Sequence, residues 1–157
     1  MKLLTYPNKS LTTYCHEIKE FNEELWKKLD EMKKIMEENN GLGLAANQCG
    51  LEDRMFIMKD LKGKIWEFVN PEIVFEDGAQ YKDEGCLSFP RLTVKVKRPE
   101  QVSIKAFNGM GEQFHISAIG LEAICISHEI EHLNGNNMLH GLSRFERRDA
   151  LKRMKKK

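Results

Sequence analysis

His128 and His132 stand four positions apart in the run Cys125-Ile126-Ser127-His128-Glu129-Ile130-Glu131-His132-Leu133-Asn134-Gly135. On an α-helix, at about 100° per residue, that spacing stacks both imidazoles on one face, a turn apart and within reach of one ion. Glu129, next to the first histidine, is poorly placed for a third ligand on the same side. It is well placed to take a proton from a water bound to the ion, as in the H-E-x-x-H arrangement of metal-dependent hydrolases. Ile124, Ile130 and Leu133 put apolar side chains on the surrounding turns, which predicts that the histidines are held inside the protein, and Gly135 supplies the stop. Taken alone, the same residues equally describe a charged helix whose imidazoles only hydrogen-bond, so a further ligand has to come from elsewhere.

Two other stretches carry residues with chemical use. In Glu84-Gly85-Cys86-Leu87-Ser88 the thiolate of Cys86 is a strong ligand for a borderline metal, and Gly85 frees the backbone beside it. Two imidazoles, one thiolate and a water complete a tetrahedral catalytic site, although the 42 positions from Cys86 to His128 do not tie them together by spacing. Gly41-Leu42-Gly43-Leu44-Ala45-Ala46-Asn47-Gln48 is a run of small residues ending in amides; it reads as a helix-to-strand loop or as backbone that approaches another strand or an extended ligand. A buried Gln48 must find partners, and its amide can donate to an oxyanion.

The elements that must position these groups follow from periodicity. Ile18, Phe21, Leu25, Leu29, Met32 and Met36 recur in steps of three or four, predicting an amphipathic helix opened near Asn22 or a few residues earlier and ended by Asn39, Asn40 and Gly41. Strands are expected at Met55–Met58 and Ile65–Val69 around Lys62-Gly63, as a separate piece at Pro71–Phe75, at Thr93–Lys97 with strict alternation, and at Val102–Phe107, paired through Asn108-Gly109 with Gln113–Ile116. Ser143-Arg144-Phe145-Glu146 is a capping-box pattern opening a short C-terminal helix. The expected class is therefore α+β in one domain, residues 1–157: short antiparallel strands around a central metal-binding helix, an N-terminal amphipathic helix and a short basic C-terminal helix.

With 25 basic and 24 acidic residues in 157, the chain is not built primarily to bind nucleic acid. No apolar run approaches the roughly 20 residues of a membrane helix, and Met1-Lys2-Leu3-Leu4-Thr5-Tyr6-Pro7 lacks a signal-peptide core, which predicts a soluble, cytoplasmic protein; a monomer is expected. Cys15, Cys49, Cys86 and Cys125 are widely spaced without a C-x-x-C pair, as suits reduced thiols.

Taken in order, the three stretches Gly41–Gln48, Glu84–Ser88 and His128–Gly135 resemble the three motifs of the peptide deformylases, and the resemblance runs from Tyr6-Pro7 to about Gly141. It implies a divalent ion on Cys86, His128 and His132, ferrous iron in the cell with zinc, nickel or cobalt able to occupy the same ligands, and a water in the fourth position. It implies removal of the formyl group from N-formylmethionyl nascent peptides, with Glu129 as proton shuttle and with Gln48 and the Leu87 backbone N–H as oxyanion donors. Gly43, Leu44, Leu87, Leu121, Ile124, Cys125 and His128 would surround the methionine side chain, and the peptide backbone would lie along Gly41 to Leu44 and Glu84-Gly85 as an added strand.

Three positions depart from the family pattern: Asn47, where proline or a similar residue is usual, and Ser127 and Glu131, where glutamine and aspartate are usual. Glu131 keeps the charge on a longer arm and is expected to pair with Arg98, behind the metal helix. The basic run Arg144, Arg147, Arg148, Lys152, Arg153, Lys155, Lys156 and Lys157 reads either as a solvated end or as a contact to ribosomal RNA. The rival readings are a peptidase built on the same helix with a ligand other than Cys86, and a ribosome-associated binding protein that keeps the metal site without useful catalysis.

Overall fold

The structure, a computed structural model, describes residues 1–155; Lys156 and Lys157, the end of the expected basic tail, lie outside the described residues. After a 3-10 turn at Lys9–Thr12, helix α1 spans Glu23–Glu38. Asn22 is its N-cap, its side-chain oxygen accepting from the Leu25 N–H at 3.1 Å, so Ile18 and Phe21 fall outside the helix although they fit its period. Both still pack against the cluster that α1 buries. Strands β1 (Gly43–Ala45), β2 (Met55–Lys59), β3 (Ile65–Asp77), β6 (Gln101–Phe107) and β7 (Gln113–Ile119) form one antiparallel sheet in the order β1-β2-β3-β6-β7, and β4 (Gln80–Cys86) pairs with β5 (Phe89–Arg98) in a second. Helices α2 (Gly120–Leu133) and α3 (Arg144–Lys155) complete the described residues.

The larger sheet is covered on both faces, and β2 shows why. Its continuous apolar run splits by alternation: Met55 and Ile57 join Leu25, Leu29, Met32 and Met36 of α1, while Phe56 and Met58 join Ala123, Ile126 and Leu133 of α2. The second sheet is a separate layer, in which Leu92, Val94 and Val96 pack under Ala150 of α3.

Two expectations about strands are corrected. Ile65–Val69 and Pro71–Phe75 are one 13-residue strand, not two short pieces. Pro71 is tolerated because the register between β3 and β6 shifts between Val69 and Glu72, so its missing N–H falls in a bulge. Asn70 takes a left-handed φ of 51° there and exchanges two 2.8 Å hydrogen bonds with the backbone of Ile18, which replaces the lost pairing. The other correction is β4, whose polar sequence gave no strand pattern; its conformation is imposed by the register with β5, from Gln80 opposite Arg98 to Gly85 opposite Thr93. The β6–β7 hairpin and the Ser143–Glu146 capping box form as expected, the latter with both reciprocal hydrogen bonds at 3.1 Å.

Candidate metal centre and active-site cleft

Helix α2 carries both histidines on the face turned toward β4, and its end is fixed by a Schellman motif. The Asn136 N–H donates to the Glu131 carbonyl at 3.0 Å and the Gly135 N–H to the His132 carbonyl at 2.9 Å. Gly135 has φ +81°, and a Cβ there would lie 2.7 Å from the Thr12 carbonyl oxygen, so the stop read from sequence needs glycine for two reasons.

Cys86, at the end of β4, meets the histidines across the two sheets. His132 Nε2 lies 3.2 Å from Cys86 Sγ and 3.1 Å from His128 Nε2, and all three ligand atoms lie within 4.8 Å of one another. His128 Nδ1 faces Glu84 Oε1 at 3.0 Å, which turns Nε2 toward the cluster. Arg98 holds Glu84 through Nε and Nη2 at 2.7 and 2.9 Å and grips Glu131 through Nη2 and Nη1 at 3.0 and 3.3 Å. The expected Arg98–Glu131 pair is thus bidentate, and it is the half-buried end of a chain that runs Glu131–Arg98–Glu84–His128, the other three members being buried.

Burial and partners pull the titrations in opposite directions. Burial alone favours neutral Glu84, but the Arg98 and His128 hydrogen bonds outweigh it and hold the carboxyl below its ordinary range. Burial works against protonating His128, yet its contacts with Cys86 and Glu84 raise its pKa, while burial and the neighbouring His128 charge keep His132 neutral. Glu129, 3 % exposed, is pushed up to about 7 by burial, against the opposing pull of His128 and Arg98. Its Oε1 has no hydrogen-bond partner among the described residues.

Glu84, Cys86, His128 and Glu129 form the floor of a cleft of about 660 Å³ lined also by Gly41, Gly43, Gln48, Gly85, Leu87, Leu121, Ile124 and Cys125 among others, whereas His132 is fully buried and does not line it. The fit is close at Gly43, where a Cβ would lie 2.6 Å from Glu129 Oε2 and 2.7 Å from Cys125 Sγ. Gln48 is held at both ends of its amide: Oε1 accepts from the Ala45 N–H at 2.9 Å, and Nε2 lies 3.0 Å from Ser88 Oγ and 3.7 Å from Cys86 Sγ.

One expected pocket residue is placed elsewhere. Leu44 is fully buried against α1, because strand alternation sends its side chain to the face opposite Gly43; only its backbone remains available to the cleft. Leu121, at 45 % exposure, sits at the rim, whereas Ile124 is buried at 5 %. Arg98 and Glu131 act from behind Glu84 and do not line the cleft. Sequence reading gave Ser88 no role, yet its hydroxyl accepts from Gln48 and donates to the Leu4 carbonyl at 2.7 Å, tying the N-terminal segment to the cleft.

Residues 1–148 match the family model described as polypeptide deformylase. The chain belongs to this family. A peptide deformylase of Chromobacterium violaceum is 37% identical over 159 aligned positions that take in 100% of this chain and 95% of that protein, and peptide deformylase 1 of Shewanella oneidensis is also 37% identical, covering 99% and 94%. Among solved structures, a deformylase from Legionella pneumophila superposes with a TM-score of 0.94 at 35% identity, covering 99% of this chain and 93% of that one. The Ehrlichia chaffeensis deformylase in complex with actinonin gives 0.93 at 33%, with coverage of 99% and 96%. The α+β fold, with antiparallel sheets, is the deformylase fold, and Cys86, His128 and His132 form a group that could hold a metal ion, in keeping with a metal-dependent family. Among the described residues, no helix is long and apolar enough to cross a membrane.

Proposed function

We propose that Cys86, His128 and His132 hold a divalent ion and that Glu129, Gln48 and Leu87 perform around it the deformylation that defines the family, the whole chain serving as one catalytic unit. The convergence of one sulfur and two Nε2 atoms beside a buried carboxylate whose Oε1 has no partner among the described residues carries this reading. The donor set fits the group: one soft thiolate with two imidazoles suits ferrous iron, zinc, nickel or cobalt, with iron as the cellular ion, and the Glu84 contact supplies the usual outer support of a ligating histidine. Such an ion, when bound, would acidify water and polarise a carbonyl.

The protein's own residues do the rest. Burial raises the Glu129 carboxyl toward neutral pH, which suits it to accept a proton from the attacking water and return it to the departing amine, leaving formate and a free N-terminus. Negative charge develops on the formyl oxygen during attack. Gln48 Nε2, fixed by Ala45 and Ser88, and the Leu87 N–H are the donors offered to it, each worth about 3–4 kcal/mol in the transition state.

The N-formylmethionyl substrate is read as an added strand. Strand β1 is an edge of its sheet, and at Gly43 within it and Gly41 just before it a Cβ would collide with Glu129 or Leu87 of the cleft. Leu87, Ile124, Cys125 and His128 line the space for the methionine side chain, with Leu121 at its mouth. A cytoplasmic monomer acting on chains as they leave the ribosome suits this substrate, and the basic face of α3 is the part offered to ribosomal RNA. The deciding assay is formate release from formyl-Met-Ala-Ser by protein purified without oxygen, with metal analysis on the same sample. Stoichiometric metal and formate production are expected; cleavage of unformylated peptides, or metal without formate, would refute the assignment.

A further inference from the structure

His132 lies one residue from the end of α2, in the last turn, where its carbonyl accepts from the Gly135 N–H at 2.9 Å and keeps a second lone pair for a group outside the helix. A metal ligand there is only as well placed as that last turn. Three groups from outside the helix meet this turn, and Asn47 is the one that reaches the His132 carbonyl. Its side chain is fully buried, and its Nδ2 donates both to the His132 carbonyl and to the Thr13 carbonyl, the latter at 3.0 Å. The Cys15 N–H donates to the Leu133 carbonyl at 2.8 Å. Arg54 reaches the same carbonyl at 3.2 Å and Asn134 Oδ1 at 2.8 Å, which puts a cation at the negative end of the helix.

Asn47 directly precedes Gln48, whose amide is aimed at the cleft. One 3-10 turn, Ala46–Cys49, therefore touches the metal helix with one side chain and the thiolate with the next. Its backbone is anchored too, because Ser10 Oγ donates to the Asn47 carbonyl at 2.8 Å.

We propose that Asn47 is a positioning residue: by holding the His132 carbonyl it fixes the second imidazole against the turn that carries Gln48. The inference rests on the metal reading given above. The test uses the full chain loaded with cobalt(II), whose visible absorption reports coordination geometry, and follows release of the ion to a chelator. Asn47→Ala should release cobalt about 10- to 100-fold faster than the parent, with a changed visible band and a fall in kcat larger than the rise in KM. Leu29→Ala, in the core under α1, is the control for lost stability alone; it should lower Tm and leave the band and the release rate at parental values.

An Asn47→Ala protein that melts earlier but keeps the parental band and release rate would overturn the proposal. If Asn47→Ala does not fold, Asn47→Thr, which retains one donor, replaces it: intermediate release is expected, and parental release is again fatal to the idea. A parent that takes up no stoichiometric cobalt would sink the metal reading and this inference with it, an outcome distinct from equal tightness in parent and variant.

Discussion

Helices α1 and α2 cover opposite faces of one sheet, and both bury an apolar stripe, but they spend their polar residues differently. None of the charges of α1 is buried: Lys28 reaches Glu24 at 3.6 Å with that carboxylate 77 % exposed, and the pairs of Lys28 with Asp53 and of Lys33 with Glu67 are only partly covered. Those of α2 go inward, where His128, Glu129 and His132 are buried and Glu131 is tied to Arg98, itself 7 % exposed. Solvent screens the first kind of pair and leaves it worth little, while the second is costly to break because a lone charge would remain in a dry site. A helix that only supports the fold can thus be told from one that positions chemistry by where its ions sit, even though both obey the same period.

The comparison can be broken most sharply at Glu129. Glu129→Gln keeps the three ligands and the shape of the cleft and should lower kcat by about 10³-fold, the scale of a lost proton shuttle, with metal content unchanged. A variant with parental turnover would mean that α2 holds an ion but does not supply the base.

Next in size is Glu84→Ala, which strands Arg98 and removes the support of His128; urea unfolding should show a loss of about 3–5 kcal/mol. Adding Arg98→Met to that variant should recover part of the loss. If the double variant is weaker still, the chain is stabilising in its own right rather than a set of charges that must be kept together.

The pH dependence tests the inward charges more gently. The pKa of Glu129 is raised from 4.5 to about 7, so its folded form holds a proton that the unfolded chain gives up earlier. The sign for stability is that this group favours the fold on the acid side and loses that contribution as pH rises toward 7. The sign for activity is the reverse, since only the ionised form accepts a proton. kcat/KM should fall about tenfold per unit on the acid side of a midpoint at or below 7, a bound cation favouring the ionised form. Glu129→Gln should abolish that limb in a pH–rate profile.

The smallest expected effect is on α1. Glu24→Ala removes the more exposed of the two carboxylates near Lys28, leaving Asp53 at 3.3 Å, and should change stability by no more than about 0.5 kcal/mol, with kcat unaffected. A loss of several kcal/mol would erase the contrast between the two helices.

Local rules made much of this molecule legible before its fold was known. The spacing of His128 and His132, the stop at Gly135, the capping box at Ser143 and the Asn22 cap depend on contacts a few residues apart, which sequence order itself defines. The Arg98–Glu131 pair was expected only through the family resemblance, since nothing in the spacing joins them. Ile18 and Phe21 fit the helical period but lie before the cap, because a period cannot say where hydrogen bonding begins.

Tertiary structure decided the rest. It merged two strand pieces through the bulge at Asn70, made a strand of the polar β4 by pairing it with β5, and turned Leu44 away from the cleft while leaving Gly43 in it. It also brought Cys86 to the histidines and Asn47 to the end of α2. The sequence by itself determined which residues can bind a metal or move a proton, because that is a property of side-chain type and of turns in a helix. Which of them meet depended on the crossing of two sheets and a helix, where a one-residue change of register sends every side chain of a strand to the other face.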